Sequence, residues 1–307
     1  GFLWQWVTLD GSKPGGNCLA HFKDAPFWLV SCIAFLLDDV SDRAVLDREI
    51  PFKDGGSATL YEHLLRALYH FEGDTGGHGL CHIGEGDWFD PLNGPGRGGK
   101  GESTWLTMAA RFAVQQMIPV ARRRGDRENA ERLAGLDARL GAAIAAHCWD
   151  GDRFVGGFDD EGRAFASSAD KEGSVFLNPQ TWALISGSAA PERKEALFKT
   201  LDGLGTPFGP YITWPPYTKW NGQVGRISLK QPGTTENSSV YCHGAMFAAY
   251  AYCLEGLGGR AYDVIRRTLP TNPDNPPEKN AQVPLFVPNY YFGLPDSPDY
   301  GRSSQFY

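Results

Sequence analysis

The chain has 307 residues, 42% of them hydrophobic, and a formal net charge of -7, so it can bury a large core. Its charges are interspersed without a basic stripe, which argues against nucleic acid as a partner. The longest apolar run, about Phe27 to Leu37, is too short to span a bilayer and ends in Asp38-Asp39, so no membrane anchor is expected. The six cysteines (Cys18, Cys32, Cys81, Cys148, Cys242 and Cys253) have no CxxC spacing. They read as reduced thiols in a reducing compartment, which places the protein in the cytoplasm. The chain shows neither an initiator Met nor a signal sequence, which leaves processing or truncation open.

In chain order, Ala25 to Leu37 reads as an apolar helix opened by Asp24, and Thr59 to Phe71 as an amphipathic helix with Tyr61, Leu64, Leu65 and Leu68 on one face. Glu102 to Arg124 places Trp105, Met108, Ala109, Phe112 and Met117 at helical spacing. Asp126 to His147 repeats the pattern with charge outside. Gln180 to Ser186, Pro191 to Leu201, Ser238 to Leu257 and Ala261 to Thr268 supply the remaining helices. Long loops run from Asp150 to Asn178 and from Gly203 to Glu236, and strands are scarce. Helical hairpins joined by long loops predict an all-α (α/α) barrel, with function gathered where the loops are, rather than a plain bundle or a solenoid.

Two stretches carry candidate chemistry. Gly86-Asp87-Trp88-Phe89-Asp90, followed by Pro91-Leu92-Asn93, sets two carboxylates around an indole in a glycine-rich loop. A carboxylic acid beside an aromatic face suits the protonation of a glycosidic oxygen. The competing reading is a turn in which Asp87 or Asp90 caps the next helix. The second stretch runs from Gly233 to His243. Glu236 and His243 are seven apart, and two turns of a helix would put both on one cavity. Alternatively, Glu236 serves the helix dipole and His243 is a core residue. The histidines show no paired ligand spacing, so no metal site is expected, and no organic cofactor is implied.

Four ordered motifs then carry a resemblance: Lys23-Asp24-Ala25-Pro26-Phe27-Trp28-Leu29; Asp90 in the aspartate loop with Gly101-Glu102-Ser103-Thr104-Trp105-Leu106; Asn178-Pro179-Gln180-Thr181-Trp182-Ala183; and Pro232-Gly233 through Glu236-Asn237 to His243. Together they resemble the phosphorylases of glycoside hydrolase family 94. The resemblance implies that residues 1–307 are an (α/α)6 barrel catalytic domain, a fragment without the flanking β domains of the family. It implies inverting phosphorolysis of a β-glucosyl disaccharide to α-glucose 1-phosphate, with inorganic phosphate as co-substrate and a homodimer in the complete enzyme.

Residue by residue, the resemblance makes Asp90 the general acid and Asp87 structural. Trp88 packs on the glucosyl ring, Asp24 and Glu236 accept hydrogen bonds from sugar hydroxyls, and His243 helps to hold phosphate. Phosphate is already an anionic nucleophile, so one acid with a raised pKa suffices and no carboxylate base is needed. Phe89, Thr235 and the stretch Val283 to Tyr291 look more like the subgroup that acts on cellobionic acid. Its gluconate acceptor needs a cationic clamp, for which Arg226 and Lys230 are the candidates, the alternative being two solvated loop cations. The readings set against this one are a phosphorylase for cellobiose, cellodextrin or another β-glucoside, an inverting hydrolase with Glu236 as base, and an inactive sugar-binding remnant.

Overall fold

The computed structural model describes residues 22–40, 42–52, 55–282 and 286–304. Cys18, Val283, Pro284 and Leu285, which bear on the sequence reading, lie outside them. Eight longer helices are present: α1 (Ala25–Asp39), α2 (Leu60–Gly73), α3 (Thr104–Arg123), α4 (Arg127–His147), α5 (Leu177–Ile185), α6 (Lys194–Gly203), α7 (Cys242–Leu254) and α8 (Gly258–Thr268). The described strands are two or three residues long. No described helix is long and apolar enough to cross a membrane.

Packing follows the apolar periodicity. α1 packs on α3, α3 on α5 and α5 on α7, while α2, α4, α6 and α8 each pack on the preceding odd-numbered helix. The result is four helix pairs with an inner row of α1, α3, α5 and α7. Each inner helix contributes an aromatic to one cluster. Phe27 meets Trp105 at 6.3 Å and Trp182 at 5.2 Å between ring centroids, and Trp182 meets Phe247 at 5.2 Å, all close to edge-on. This is the geometry the ring quadrupole favours.

Three of the inner helices end alike. After α3, α5 and α7 the chain turns through Gly125, Gly187 and Gly256 at φ of 74°, 63° and 72°. In each case the residue after the glycine donates its backbone N–H to the carbonyl five residues back: Asp126 to Ala121, Ser188 to Ala183, and Leu257 to Tyr252. This Schellman closure satisfies carbonyls that a helix end leaves open and hands the chain to the next element.

Helix starts differ from the sequence reading. α3 begins at Thr104, because Glu102–Ser103 is a strand paired with Gly157–Phe158. α5 begins at Leu177, after Val175–Phe176 pairs with Thr213–Trp214. The expected helix Ser238 to Leu257 is α7, which begins only at Cys242 and stops at Leu254. Ser238 has a φ of 65°, and Val240–Tyr241 pairs with Tyr290–Tyr291. Glu236 therefore lies in a loop, and the expectation that it shares a helix face with His243 fails. Pro191–Arg193 is a 3-10 turn, and α6 follows it.

Candidate active site

The loops gather at the N-terminal ends of the inner helices, and so do the candidate residues. Asp24 holds the N-cap position of α1 but caps nothing with its side chain. Instead its Oδ2 accepts from the indole N–H of Trp28 at 2.7 Å. Burial raises the pKa of Asp24, and the Trp28 hydrogen bond opposes the rise.

The aspartate loop is built onto the start of α3. Ser103 is the N-cap of α3, its Oγ accepting from the backbone N–H of Leu106 at 3.0 Å. The same hydroxyl donates to Asp87 Oδ2 at 2.6 Å, while Asp87 Oδ1 accepts from the Phe89 N–H at 3.0 Å. Asp87 is 2% exposed, and burial pushes its pKa up to about 7. Both of its oxygens are occupied, one by the α3 N-cap and one by the loop itself. Asp90 is solvent-accessible at the mouth of the same loop, yet protein surrounds it closely enough to push its pKa up to about 6. Desolvation is the largest cause, followed by the negative charges of Glu236 and Asp24, with Arg226 and Lys230 pulling the other way.

The loop before α7 supplies the rest. Asn237 ties it down: its Oδ1 accepts from the Tyr217 N–H, and its Nδ2 donates to the carbonyls of Tyr217 and Lys230, all at 2.7 to 2.8 Å. Next to it, Glu236 is 8% exposed, and its Oε2 is buried with no hydrogen-bond partner among the described residues. Such an oxygen is costly to leave unpaired and is completed by a donor such as a sugar hydroxyl. Arg226 donates from its backbone to Asn93 Oδ1 at 3.0 Å and from Nη2 to the Asp90 carbonyl at 3.2 Å. His243, in the first turn of α7, accepts from the Trp88 indole N–H through Nδ1 at 3.1 Å. Its neutral ring, favoured by burial, then carries its proton on Nε2. The N-terminus of α7 adds partial positive charge there.

The seven residues singled out from the sequence, Asp24, Trp88, Asp90, Arg226, Lys230, Glu236 and His243, thus stand in one neighbourhood. Two described surface cavities, of about 660 and 200 Å³, include none of them. Sequence reasoning missed three neighbours. Trp28 bonds Asp24. Tyr241 faces Trp88 at 5.1 Å and is pushed up to about 12 by burial, with Glu236 and Asp90 adding to the rise. Tyr290 also lies in the field of Glu236. Tyr241 and Tyr290 reach the site through the strand pair that shortens α7, a long-range pairing with no local signal.

This is a helical-pair domain whose candidate site residues sit in the loops and first turns at one end of its inner helices, a class of scaffold that holds reactive side chains on rigid helix starts. Within that class the chain belongs to the glycosyl hydrolase 94 superfamily, as its catalytic domain: the family model matches residues 11–306. Its curated relatives include a 3-O-beta-D-glucopyranosyl-beta-D-glucuronide phosphorylase of Paenibacillus borealis, 53% identical over 99% of this chain and 40% of that protein. A cellobionic acid phosphorylase of Neurospora crassa is 36% identical over 95% of this chain and 37% of that protein. The chain thus spans about two-fifths of the length of these relatives. A GH78 family rhamnosidase of Bacillus sp. GL1 shares the fold at a TM-score of 0.54 and 18% identity, over 79% of this chain and 22% of that one.

Proposed function

We propose that this chain is the catalytic portion of an inverting phosphorylase that splits a β-glucosyl disaccharide whose acceptor is a sugar acid. The first acceptor to test is a glucuronide, named for the relative at 53% identity. Gluconate, the acceptor expected from the sequence, comes second. The observation that carries the reading is the convergence of Asp90, Asp24 and Glu236 with Arg226 seated against the Asp90 carbonyl.

Asp90 donates its proton to the glycosidic oxygen as the C1–O bond breaks. Phosphate attacks C1 from the opposite side, and the new C1–O–P bond gives α-glucose 1-phosphate. Trp88 packs on the glucosyl ring, Asp24 and Glu236 receive its hydroxyls, and His243 offers Nε2–H to phosphate. Arg226 and Lys230 answer the acceptor carboxylate. We place all of residues 1–307 in one (α/α)6 barrel domain that draws further helices from a longer protein, working in the cytoplasm as a homodimer with no cofactor beyond phosphate.

The test uses the full-length protein with 3-O-β-glucosyl-glucuronate, cellobionate and cellobiose, with and without phosphate. Turnover should require phosphate and favour the acids. Arg226→Met and Lys230→Met should each lose about one to two powers of ten in efficiency on the acids, since a hydrogen bond to a charged group is worth about 1.5 to 3 kcal/mol. Cellobiose should suffer far less. Hydrolysis without phosphate, or a preference of the wild type for cellobiose, would sink the assignment.

A further inference from the structure

Beside the candidate site, the charge pattern of the chain changes. Residues 91–101 and 216–235 contain no Asp or Glu, yet they carry Arg97, Lys100, Lys219, Arg226 and Lys230, in a chain with 36 acidic and 29 basic residues. The two segments are docked on each other. Gly94 donates its N–H to the Val224 carbonyl at 3.3 Å, and Asn93 is the hub. Its Oδ1 accepts from the Arg226 N–H at 3.0 Å, and its carbonyl accepts from Arg97 Nε at 3.3 Å.

Arg97 in turn stands 5.8 Å from the ring centre of Trp220, which is 49% exposed. A contiguous rim therefore leads from Asp90 through Arg226, Asn93 and Arg97 to an open indole. Nearby carboxylates are engaged by these loops. Asp160 accepts from the N–H groups of Gly98, Lys100 and Gly101, and Asp159 accepts from Gln223 Nε2 at 3.0 Å. Thr218 is bonded to Glu172. The rim is held in place before any ligand arrives.

One cationic pair meets one acceptor carboxylate, but this rim has more cations than that and an aromatic face set further out. Resting on the sugar-acid reading above, we infer that Trp220 and Arg97 form an outer subsite for the sugar that follows the acceptor unit. The indole stacks on the apolar face of that pyranose, while Arg97 and its neighbours meet acidic groups along the chain. The substrates this site favours are then acidic oligosaccharides attacked at a terminal glucosyl residue, with the disaccharide as the shortest of them.

The experiment compares the full-length protein on 3-O-β-glucosyl-glucuronate and on the tetrasaccharide made of two such units joined through the glucuronate. The wild type should show a KM about five- to tenfold lower for the tetrasaccharide, the scale of one added aromatic contact. Trp220→Ala should erase that advantage and leave disaccharide efficiency unchanged. Arg97→Met should reduce the advantage more at low salt than at high. Equal efficiencies of the wild type on the two lengths would overturn the subsite, as would a Trp220→Ala variant that loses both substrates in equal proportion. If the wild type turns over cellobiose but neither acid, the sugar-acid reading fails first and the subsite falls with it.

Discussion

Asp87 and Asp90 stand three residues apart in one loop and have different environments. The sequence marks both as candidates and leaves the division to neighbours far along the chain. Ser103 occupies Asp87, and Glu236 and Arg226 face Asp90. Asp90→Asn should lower phosphorolysis about 10²- to 10⁴-fold with the fold intact, the range that a lost general acid costs. Asp87→Asn should keep most activity. Because the acid must be protonated, the wild-type rate should fall as pH rises through about 6, the value to which Asp90 is pushed. A pH–rate profile of each variant checks both statements.

Trp28 is the other residue-scale case. Its ring lies parallel to Phe247 at 6.3 Å and its N–H holds Asp24, so Trp28→Phe removes the hydrogen bond while keeping most of the packing. With the bond gone, the pKa of Asp24 should rise further. Sugar binding should then weaken about tenfold, with its acid limb moved to higher pH and the melting temperature little changed. Disaccharide KM measured against pH is the readout. An unchanged limb would make Trp28 a packing residue only.

At the scale of elements, what was legible was what is local. Apolar periodicity announced all eight longer helices, whereas the expected last inner helix ran on to Leu257, past the Gly256 at which the chain turns. The helix starts were less legible, because strands at residues 102–103, 175–176 and 240–241 find partners that are distant in sequence. The site shared that fate. Motif residues were recognisable one by one, whereas their meeting depends on those pairings and on Asn237. The helix stops can be tested cleanly at Gly256, where an added Cβ would touch nothing within 4 Å. Gly256→Ala should cost about 1 to 2 kcal/mol through backbone strain alone. Gly256→Asn should recover part of that loss, because Asn tolerates the left-handed region. Urea unfolding of the two variants would separate strain from lost contacts, since lost contacts would penalise both alike.

On the scale of the whole molecule, protons link the site to stability. A carboxyl whose folded pKa lies above its unfolded value stabilises the fold at low pH, and that contribution is lost as pH rises through the folded value. Asp87, which burial pushes up to about 7, is the strongest such group. His70 and His243, whose pKa values desolvation lowers, act in the opposite sense at lower pH, so the comparison should be made against a variant. Relative to wild type, Asp87→Asn should gain several degrees of melting temperature between pH 5 and pH 8. A difference that stays constant with pH would mean that Asp87 ionises freely in the fold.

The bond from the Trp88 indole to His243 Nδ1 joins two side chains assigned to different substrates. Linkage makes such a joint reciprocal: whatever a seated glucosyl ring does to the affinity for phosphate, phosphate does to the affinity for the sugar, by the same factor. A single hydrogen bond 155 residues apart in sequence would thus make recognition of the nucleophile and recognition of the electrophile one thermodynamic event, with neither half-filled state fully formed.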